Sequence, residues 1–442
     1  MNKDVIHILQ ILQNNGYEAY LVGGCVRDKI MNRQVHDYDI CTSALPDEVK
    51  SVFAQQRTID TGLKHGTVTV VLNGENYEIT TFRTDGDYSD GRHPDSVKFV
   101  RNLKDDLLRR DFTMNAIAFD GHNYVDIFGG TDDIHNQIIR CVGNADARFQ
   151  EDALRILRAM RFSAQFGFEI DKDTQDAMHR HKNLINKISK ERIASELQKM
   201  IVGKNIYSVL NDFRDILAVI IPEFIPCFDF DQKNDWHVYD VYQHIIHSVQ
   251  NIDNDRILRL AMLFHDIGKP RVFSVDDNGI GHFYDHNKVS HDMSIDIMKQ
   301  LKFDNDTISQ VALLVMYHDY VIQENKKSIR KLISKIGYDN AKKLLKVKCA
   351  DNLAQNRIKV IQYGRLDHIL AINSIMELVN DNNDCIDKKF LAINGNDLKA
   401  LGFPPSPLYS RIFDDLLDKV MSDDLDNDKD ALLNYVQMHY AP

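Results

Sequence analysis

The stretch LVGGCVRDKIMNRQVHDYDICTSALPDEV, residues 21–49, decides how the first part of the chain is read. An apolar run ends in Gly23 and Gly24, Arg27 follows, and two aspartates, Asp37 and Asp39, stand one tyrosine apart. Residues i and i+2 of a strand face one way, so both carboxylates project to one side with Cα atoms roughly 6.5 to 7 Å apart. Two unpaired carboxylates that close repel each other, and something positive is expected between them. The spacing suits Mg²⁺, which takes carboxylate oxygens, substrate phosphates and water. Glu78, in NYEITTF, is a third acid on a later strand that can lie alongside. Metals held there would activate a hydroxyl and grip a triphosphate, with Gly23 and Gly24 admitting the phosphates and Arg27 neutralising them. Either motif alone is weak, since D-x-D and G-G more often mark turns. Their combination at close range behind a strand is far more specific.

The length of 442 residues suggests about three domains. No stretch approaches the 18 or more apolar residues of a membrane helix, and the start MNKDVIHILQ lacks the features of a signal peptide, so a cytoplasmic protein without a membrane partner is expected. Six scattered cysteines with no C-x-x-C pair fit buried thiols in a reducing compartment. A net charge of -11 argues at first against a nucleic-acid partner. Its distribution softens the objection: residues 371–442 carry 13 Asp plus Glu against 6 Lys plus Arg, whereas 151–204 carry 11 basic against 8 acidic residues.

Up to about residue 140, short runs rich in Val, Ile, Thr and Tyr read as strands: EAYLVGG, YDICT, GTVTVVLNG, YEITTF and NAIAFDG. Beyond residue 145 apolar residues recur at three and four spacing, as in ALRILRAMRFSAQF and RIASELQKMI, and predict helices. The segments 222–235, 276–285 and 401–410 read as a connection, a loop and a turn, and 422–430 as a solvated acidic loop. No internal repeat is present.

The run 21–49 resembles the first signature motif of the class II tRNA nucleotidyltransferases, or CCA-adding enzymes, and their bacterial poly(A) polymerase relatives. RRDFTMNAIAFD (109–120) resembles the second motif, residues 138–162 cover the third and fourth, and KERIASELQKM (190–200) is similar to the fifth. The resemblance covers about residues 1–215 and again the tail from LAINGNDL. It implies an α+β protein: a nucleotidyltransferase head with a DNA polymerase β-like mixed sheet (1–142), an all-α neck and body with base- and RNA-binding motifs (143–225), an all-α HD domain (226–370) and a helical, tRNA-binding tail (371–442). It implies that Asp37 and Asp39 hold metal, that Gly24 and Arg27 belong to the triphosphate site, and that Arg110, Asp111 and Asn115 contact ribose and phosphate. Asn32 stands where the family usually has glycine; Asn tolerates the left-handed conformation, so the turn is expected to survive.

The fourth motif, Glu151, Asp152 and Arg155, resembles the family's template for the incoming base. Cytosine and adenine both show an exocyclic amino donor beside a ring-nitrogen acceptor, whereas uracil and guanine place an oxygen there. An Asp acceptor beside an Arg donor therefore fits C and A, and an unmatched buried group costs about 1 to 3 kcal/mol against U or G. On one helix Asp152 and Arg155 are neighbours at i and i+3 and are expected to hold each other in place. Arg158 and Arg161 continue along that face and suit nucleotide phosphates.

A second constellation begins at LRLAMLFHDIGKP (258–270), where a His-Asp pair ends an apolar helical run. The order His244, His265-Asp266, His286, His318, Asp351 resembles the HD phosphohydrolase superfamily, which binds divalent metals through His nitrogen and Asp oxygen. The match implies His244, His265, Asp266 and Asp351 as core ligands, with His286 and His318 available for a second metal or a phosphate; His237, His247 and His291 lie close. A divalent transition metal is implied, with either a phosphatase or phosphodiesterase activity or a retained scaffold role, in a domain inserted ahead of the tail.

The resulting expectation is a template-independent RNA nucleotidyltransferase that uses CTP, ATP and Mg²⁺ to build or repair the CCA end of tRNA. Alternatives are CC-adding, A-adding or poly(A)-adding enzymes, an HD nucleotide phosphohydrolase with a regulatory head, and a non-catalytic RNA-binding protein. The segment 85–99 resembles the flexible loop that full CCA-adding members retain.

Overall fold

The three-and-four spacing of Val5, Ile8, Leu9 and Leu12 gives helix Lys3–Asn14 one buried face, and the Asn2 side chain accepts from the Asp4 N–H to cap its start. This computed structural model describes residues 2–35, 37–86, 97–382 and 384–441. Packing divides the chain into two compact units, Met1–Pro222 and Glu223–Pro442.

The first unit is built on a sheet. Its strands are β1 (Ala19–Val22), β2 (Asp39–Thr42), β3 (Arg57–Gly62), β4 (Thr67–Leu72), β5 (Glu75–Thr81), β8 (Ile117–Phe119) and β9 (Tyr124–Asp126), in the order β3-β4-β5-β2-β1-β8-β9. Two further strands, β6 (Arg83–Asp85) and β7 (Val97–Phe99), pair with each other. Within that seven-stranded sheet, among the described residues, only β2 and β5 run parallel, and their register sets Asp39 directly beside Glu78; Ile138–Ile139 and Glu169–Ile170 form a separate short parallel pair. The five expected strand runs fall on β1, β2, β4, β5 and β8. One expectation needs correcting: β2 begins at Asp39, so Asp37 lies ahead of the strand and not within it. Of the segment 85–99, residues 87–96 lie outside the described residues.

Between β1 and helix Gly24–Ile30 the backbone turns at Gly23, with φ 80° and ψ -137°. A side chain there would be strained, and its Cβ would sit 3.3 Å from an Arg110 guanidinium nitrogen. Asn32 takes φ 53°, the left-handed conformation expected of it. Helices Ala145–Glu151, Leu154–Phe166 and Lys190–Ile201 follow.

Among its described residues the second unit is helical apart from one small ladder. Strands Ser274–Val275 and Gly281–His282 pair antiparallel where the sequence suggested only a loop. Helices Val241–Asn251, Arg256–Phe264, His286–Gln300, Asn305–Tyr317 and Tyr338–Leu353 carry the histidines and acids of the second constellation or end at them. Near the C-terminus Leu398, Phe403, Ile412, Leu416, Leu432 and Val436 belong to a core cluster of their own.

Gly130 opens a helix against the turn Thr113–Asn115, and a Cβ on it would fall 2.1 Å from the Thr113 carbonyl oxygen. Backbone cannot retreat as a flexible side chain does. Gly130→Ala is therefore expected to cost about 2 to 3 kcal/mol, read as a lowered urea midpoint at unchanged slope.

Candidate functional site

A cavity of about 500 Å³ in the first unit gathers most of the predicted head residues. Gly23, Gly24, Arg27, Asp39, Arg110, Asp111, Asn115, Asp152, Arg155, Arg158 and Arg161 line it. Glu151 stands behind this wall, donating nothing to the cavity but accepting from Arg155 at 2.8 Å and from Arg148. Asp37 and Glu78 are not part of the lining. Among the described residues the three acids Asp37, Asp39 and Glu78 do not close into a cluster with all ligand oxygens within 4.8 Å.

The site is wired from one residue to the next. Arg27 Nη1 donates to Asn115 Oδ1 at 2.8 Å, and the Asn115 amide donates to Asp111 Oδ1 at 3.0 Å. Asp111 Oδ2 then accepts from Arg158 Nε at 2.7 Å. Burial alone would raise the Asp111 carboxyl, but the Arg158 charge and the Asn115 hydrogen bond overcome it and hold the group well below the usual carboxylate range. Arg161 is tied to Glu196 at 2.6 Å.

The expected Asp152–Arg155 pair is not formed. Asp152 ends helix Ala145–Glu151 with extended angles, φ -139° and ψ 100°, so the two residues do not share one continuous helix. Asp152 Oδ1 accepts from the Leu154 N–H at 3.0 Å and Oδ2 from Arg192 at 2.9 Å. Arg155 bonds Glu151 and the carbonyls of Arg148 and Arg109. Both groups still reach the cavity, each held by other partners.

Sequence reasoning passed over three lining arginine or aromatic positions. Arg109 sits beside Arg110 in the quoted R-R pair, and Arg192 lies inside the fifth motif, so both were within reach. Phe162 reads as an ordinary core residue of an amphipathic helix and gave no signal. Behind the wall, Asp106 is fully buried and accepts from Arg109 at 2.9 Å and Arg110 at 3.1 Å.

Asp37 and Asp39 fit a cation. No ion pair among the described residues engages either carboxylate. Partial removal from water raises the Asp39 carboxyl, Arg110 draws it down less, and Asp37 adds to the rise. A bound cation would relieve that cost.

The second unit brings all six predicted residues of the second constellation together. His244, His265, Asp266 and Asp351 place one ligand atom each within 4.8 Å of one another, and Asp266, His286 and His318 do the same. Asp266 is shared: Oδ2 lies 3.1 Å from His244 Nε2 and 3.3 Å from His265 Nε2, while Oδ1 lies 3.3 Å from His286 Nε2 and 3.5 Å from His318 Nε2. Asp351 Oδ1 is 3.0 Å from His244 Nε2. Each imidazole uses Nδ1 on a backbone carbonyl, of Ala354, Met262, Phe283 and Val315 in turn, at 2.7–3.2 Å. With Nδ1–H donating outward, the Nε2 lone pairs point at each other, 3.2 Å apart for His244 and His265 and 3.0 Å for His286 and His318. The Lys269 ammonium, 2.6 Å from Asp266 Oδ2, offsets part of that negative charge. His237, one of the nearby histidines, lines the cavity beside this cluster, whereas His247 and His291 do not. That cavity measures about 300 Å³.

The chain is similar to known proteins over three stretches. Residues 19–140 match the poly A polymerase head domain, 167–227 the RNA and SrmB-binding site of polymerase A, and 276–436 the tRNA nucleotidyltransferase domain 2. A CCA-adding enzyme of Lactobacillus helveticus is 51% identical over 219 residues, 49% of this chain and 54% of the relative. One of Geobacillus thermodenitrificans is 54% identical over 202 residues, 46% of this chain and 50% of the relative. The matched stretch thus spans about half the length of these curated relatives. The crystal structure of the Bacillus stearothermophilus CCA-adding enzyme in complex with CTP superposes with a TM-score of 0.71 at 29% identity, covering 99% of this chain and 98% of that one. The Thermotoga maritima CCA-adding enzyme complexed with tRNA shares the fold, with a TM-score of 0.62 at 18% identity, covering 99% and 96%.

The depressed Asp111 carboxyl gives a signed prediction. A lowered folded-state value stabilises the fold fully above the unfolded value of about 3.9 and less as pH falls below it. Asp111→Asn should lose about 2 kcal/mol at neutral pH, less than for a fully buried pair because Arg158 is 34% exposed, and show a shallower acid limb in denaturation from pH 7 to 3.

Proposed function

We propose that this chain is a tRNA nucleotidyltransferase built on the poly A polymerase head, a family that generally uses a divalent metal, and that it adds or repairs the 3′-terminal CCA of tRNA from CTP and ATP, in the cytoplasm. The observation that carries this reading is a single cavity holding an acid for metal, a glycine turn, a set of arginines and a separately tethered Asp–Arg pair.

Asp37 and Asp39 would hold Mg²⁺, which when bound supplies charge neutralisation at the α-phosphate and a lowered pKa for the RNA 3′-hydroxyl. Gly23 and Gly24 leave room for the triphosphate to approach the backbone, and Arg27 and Arg110 face its oxygens. Asn115, fixed between Arg27 and Asp111, is placed for the ribose. Asp152 retains acceptor capacity after serving Leu154 and Arg192, and Arg155 retains N–H donors after its three bonds. This pair matches the amino donor and ring-nitrogen acceptor of C or A and leaves an unpaired acceptor against U or G. Glu78, beside Asp39 in register, adds negative potential to that edge of the sheet. The helical part and tail would hold the tRNA mostly through phosphate and shape.

Incubating the purified chain with tRNA lacking CCA, Mg²⁺ and each labelled nucleoside triphosphate tests the reading. Incorporation of two C residues and one A is expected; no incorporation sinks it, C without A reduces it to CC addition, A on a CC end alone to A addition, and long A tracts redirect it to poly(A) synthesis. Asp39→Ala should lower the rate on the order of 10³-fold or more, since it removes a group needed only as charge develops.

The convergence of four imidazole lone pairs on Asp266 favours a second centre, an HD-type site for a divalent transition metal held by His244, His265, Asp266 and Asp351, with His286 and His318 around the other Asp266 oxygen. Such a site supports a metal-dependent phosphatase or phosphodiesterase. Metal analysis of the purified chain should find bound divalent metal at roughly one to two equivalents, and Asp266→Ala should lose most of it while retaining nucleotide addition. Equal metal content in the two proteins would refute the assignment.

A further inference from the structure

Phe162 sits among the arginines of the first cavity and brings no charge. It is 3% exposed and lies on helix Leu154–Phe166. The guanidinium carbons of Arg161, Arg27 and Arg158 stand 4.0, 5.1 and 5.4 Å from its ring centroid. One turn further, Phe166 stacks on it with centroids 5.5 Å apart and carries Arg27 at 4.8 Å and Arg33 at 4.9 Å. Phe112 meets Phe162 edge-on at 5.9 Å and 89°, which fixes the ring from behind.

A carboxylate holds a guanidinium by consuming N–H donors and cancelling its charge. An aromatic face does neither: it attracts the planar cation through the ring quadrupole and leaves its N–H edge and its charge for another partner. Arg27, Arg158 and Arg161 already have one carboxylate each, Asp28, Asp111 and Glu196. A second carboxylate per arginine would erase the positive field that a triphosphate needs. The ring adds restraint without that loss.

We infer that Phe162 is a positioning residue for nucleotide binding: its ring sets the spacing of Arg27, Arg158 and Arg161 so that their remaining donors converge on a nucleoside triphosphate. The inference rests on the reading of this cavity as the nucleotide site. It assigns to a residue that looks like core packing a measurable share of substrate affinity.

A fluorination series separates the two roles, because replacing Phe162 in the full-length chain with mono-, di- and trifluorophenylalanine changes ring shape little while stepwise weakening its attraction for cations. CTP and ATP affinity are measured by calorimetry, and KM and kcat by single-nucleotide addition. Kd and KM should rise together with each fluorine, by about ten-fold at the trifluoro ring, with kcat held within about two-fold. Phe162→Leu, which keeps an apolar side chain but no ring, should match the trifluoro protein. A flat series in a chain that binds both triphosphates normally would show that the ring only packs. Failure of the unsubstituted chain to bind either triphosphate would overturn the nucleotide reading of the cavity itself, and the inference with it.

Discussion

Seven arginines and three aspartates line one cavity of about 500 Å³, and holding that many like charges together is the constraint on which the first unit depends. Two guanidinium groups about 5 Å apart repel by about 3 kcal/mol at an effective dielectric near 20. The chain answers by placing further neutralising carboxylates behind the arginines, in addition to Asp111 and Asp152 among them, which pair with Arg158 and Arg192. Asp106 backs Arg109 and Arg110, Glu151 backs Arg155, Glu196 backs Arg161 and Asp28 backs Arg27, and none of these four acids lines the cavity. Fold stability and a positive cavity are thereby reconciled. The fully buried Asp106 shows how firmly: burial would raise its carboxyl, and the two arginines hold it below the usual range instead.

The second unit inverts this electrostatic scheme. Its cluster is rich in imidazole nitrogens and carboxylate oxygens, and among the described residues only Lys269 contributes an ammonium to Asp266. Four backbone carbonyls hold the four Nδ1 atoms, so the Nε2 atoms are preset on the side of the Asp266 carboxylate. One cavity is lined mainly by guanidinium groups and the other by imidazole nitrogens and carboxylate oxygens, each within its own compact unit.

Much of this was legible in the sequence because the chemistry is carried by residue types at short spacing. Gly23, Gly24, Arg27 and Asp39 lie within one stretch, and the ordered histidines and aspartates of the second centre all converge as their order suggested. Strands with Val, Ile and Thr alternation were visible, whereas β3, reading RTIDTG, offers no such pattern and was not. What escaped were roles that depend on the far side of a contact. Asp106 reads as one more acid in a charged helix, and Phe162 as one more apolar residue on a helix face. Only packing reveals that each contacts arginines of the first cavity.

The break after Glu151 is the least legible step and, on the proposed reading of the cavity, the one that bears most on base choice. Sequence periodicity runs through residues 151–155 as if one helix continued, which would bring Asp152 and Arg155 side by side. Paired to each other, acceptor and donor would satisfy themselves and present little to a base. The chain instead leaves helical geometry at Asp152 and restarts at Leu154, so that Asp152 accepts from the Leu154 N–H and from Arg192 while Arg155 is held by Glu151. Each group is tethered at one end and open at the other. An acceptor and a donor kept apart in this way can be satisfied together only by a partner that offers a donor beside an acceptor, which is the edge that cytosine and adenine share.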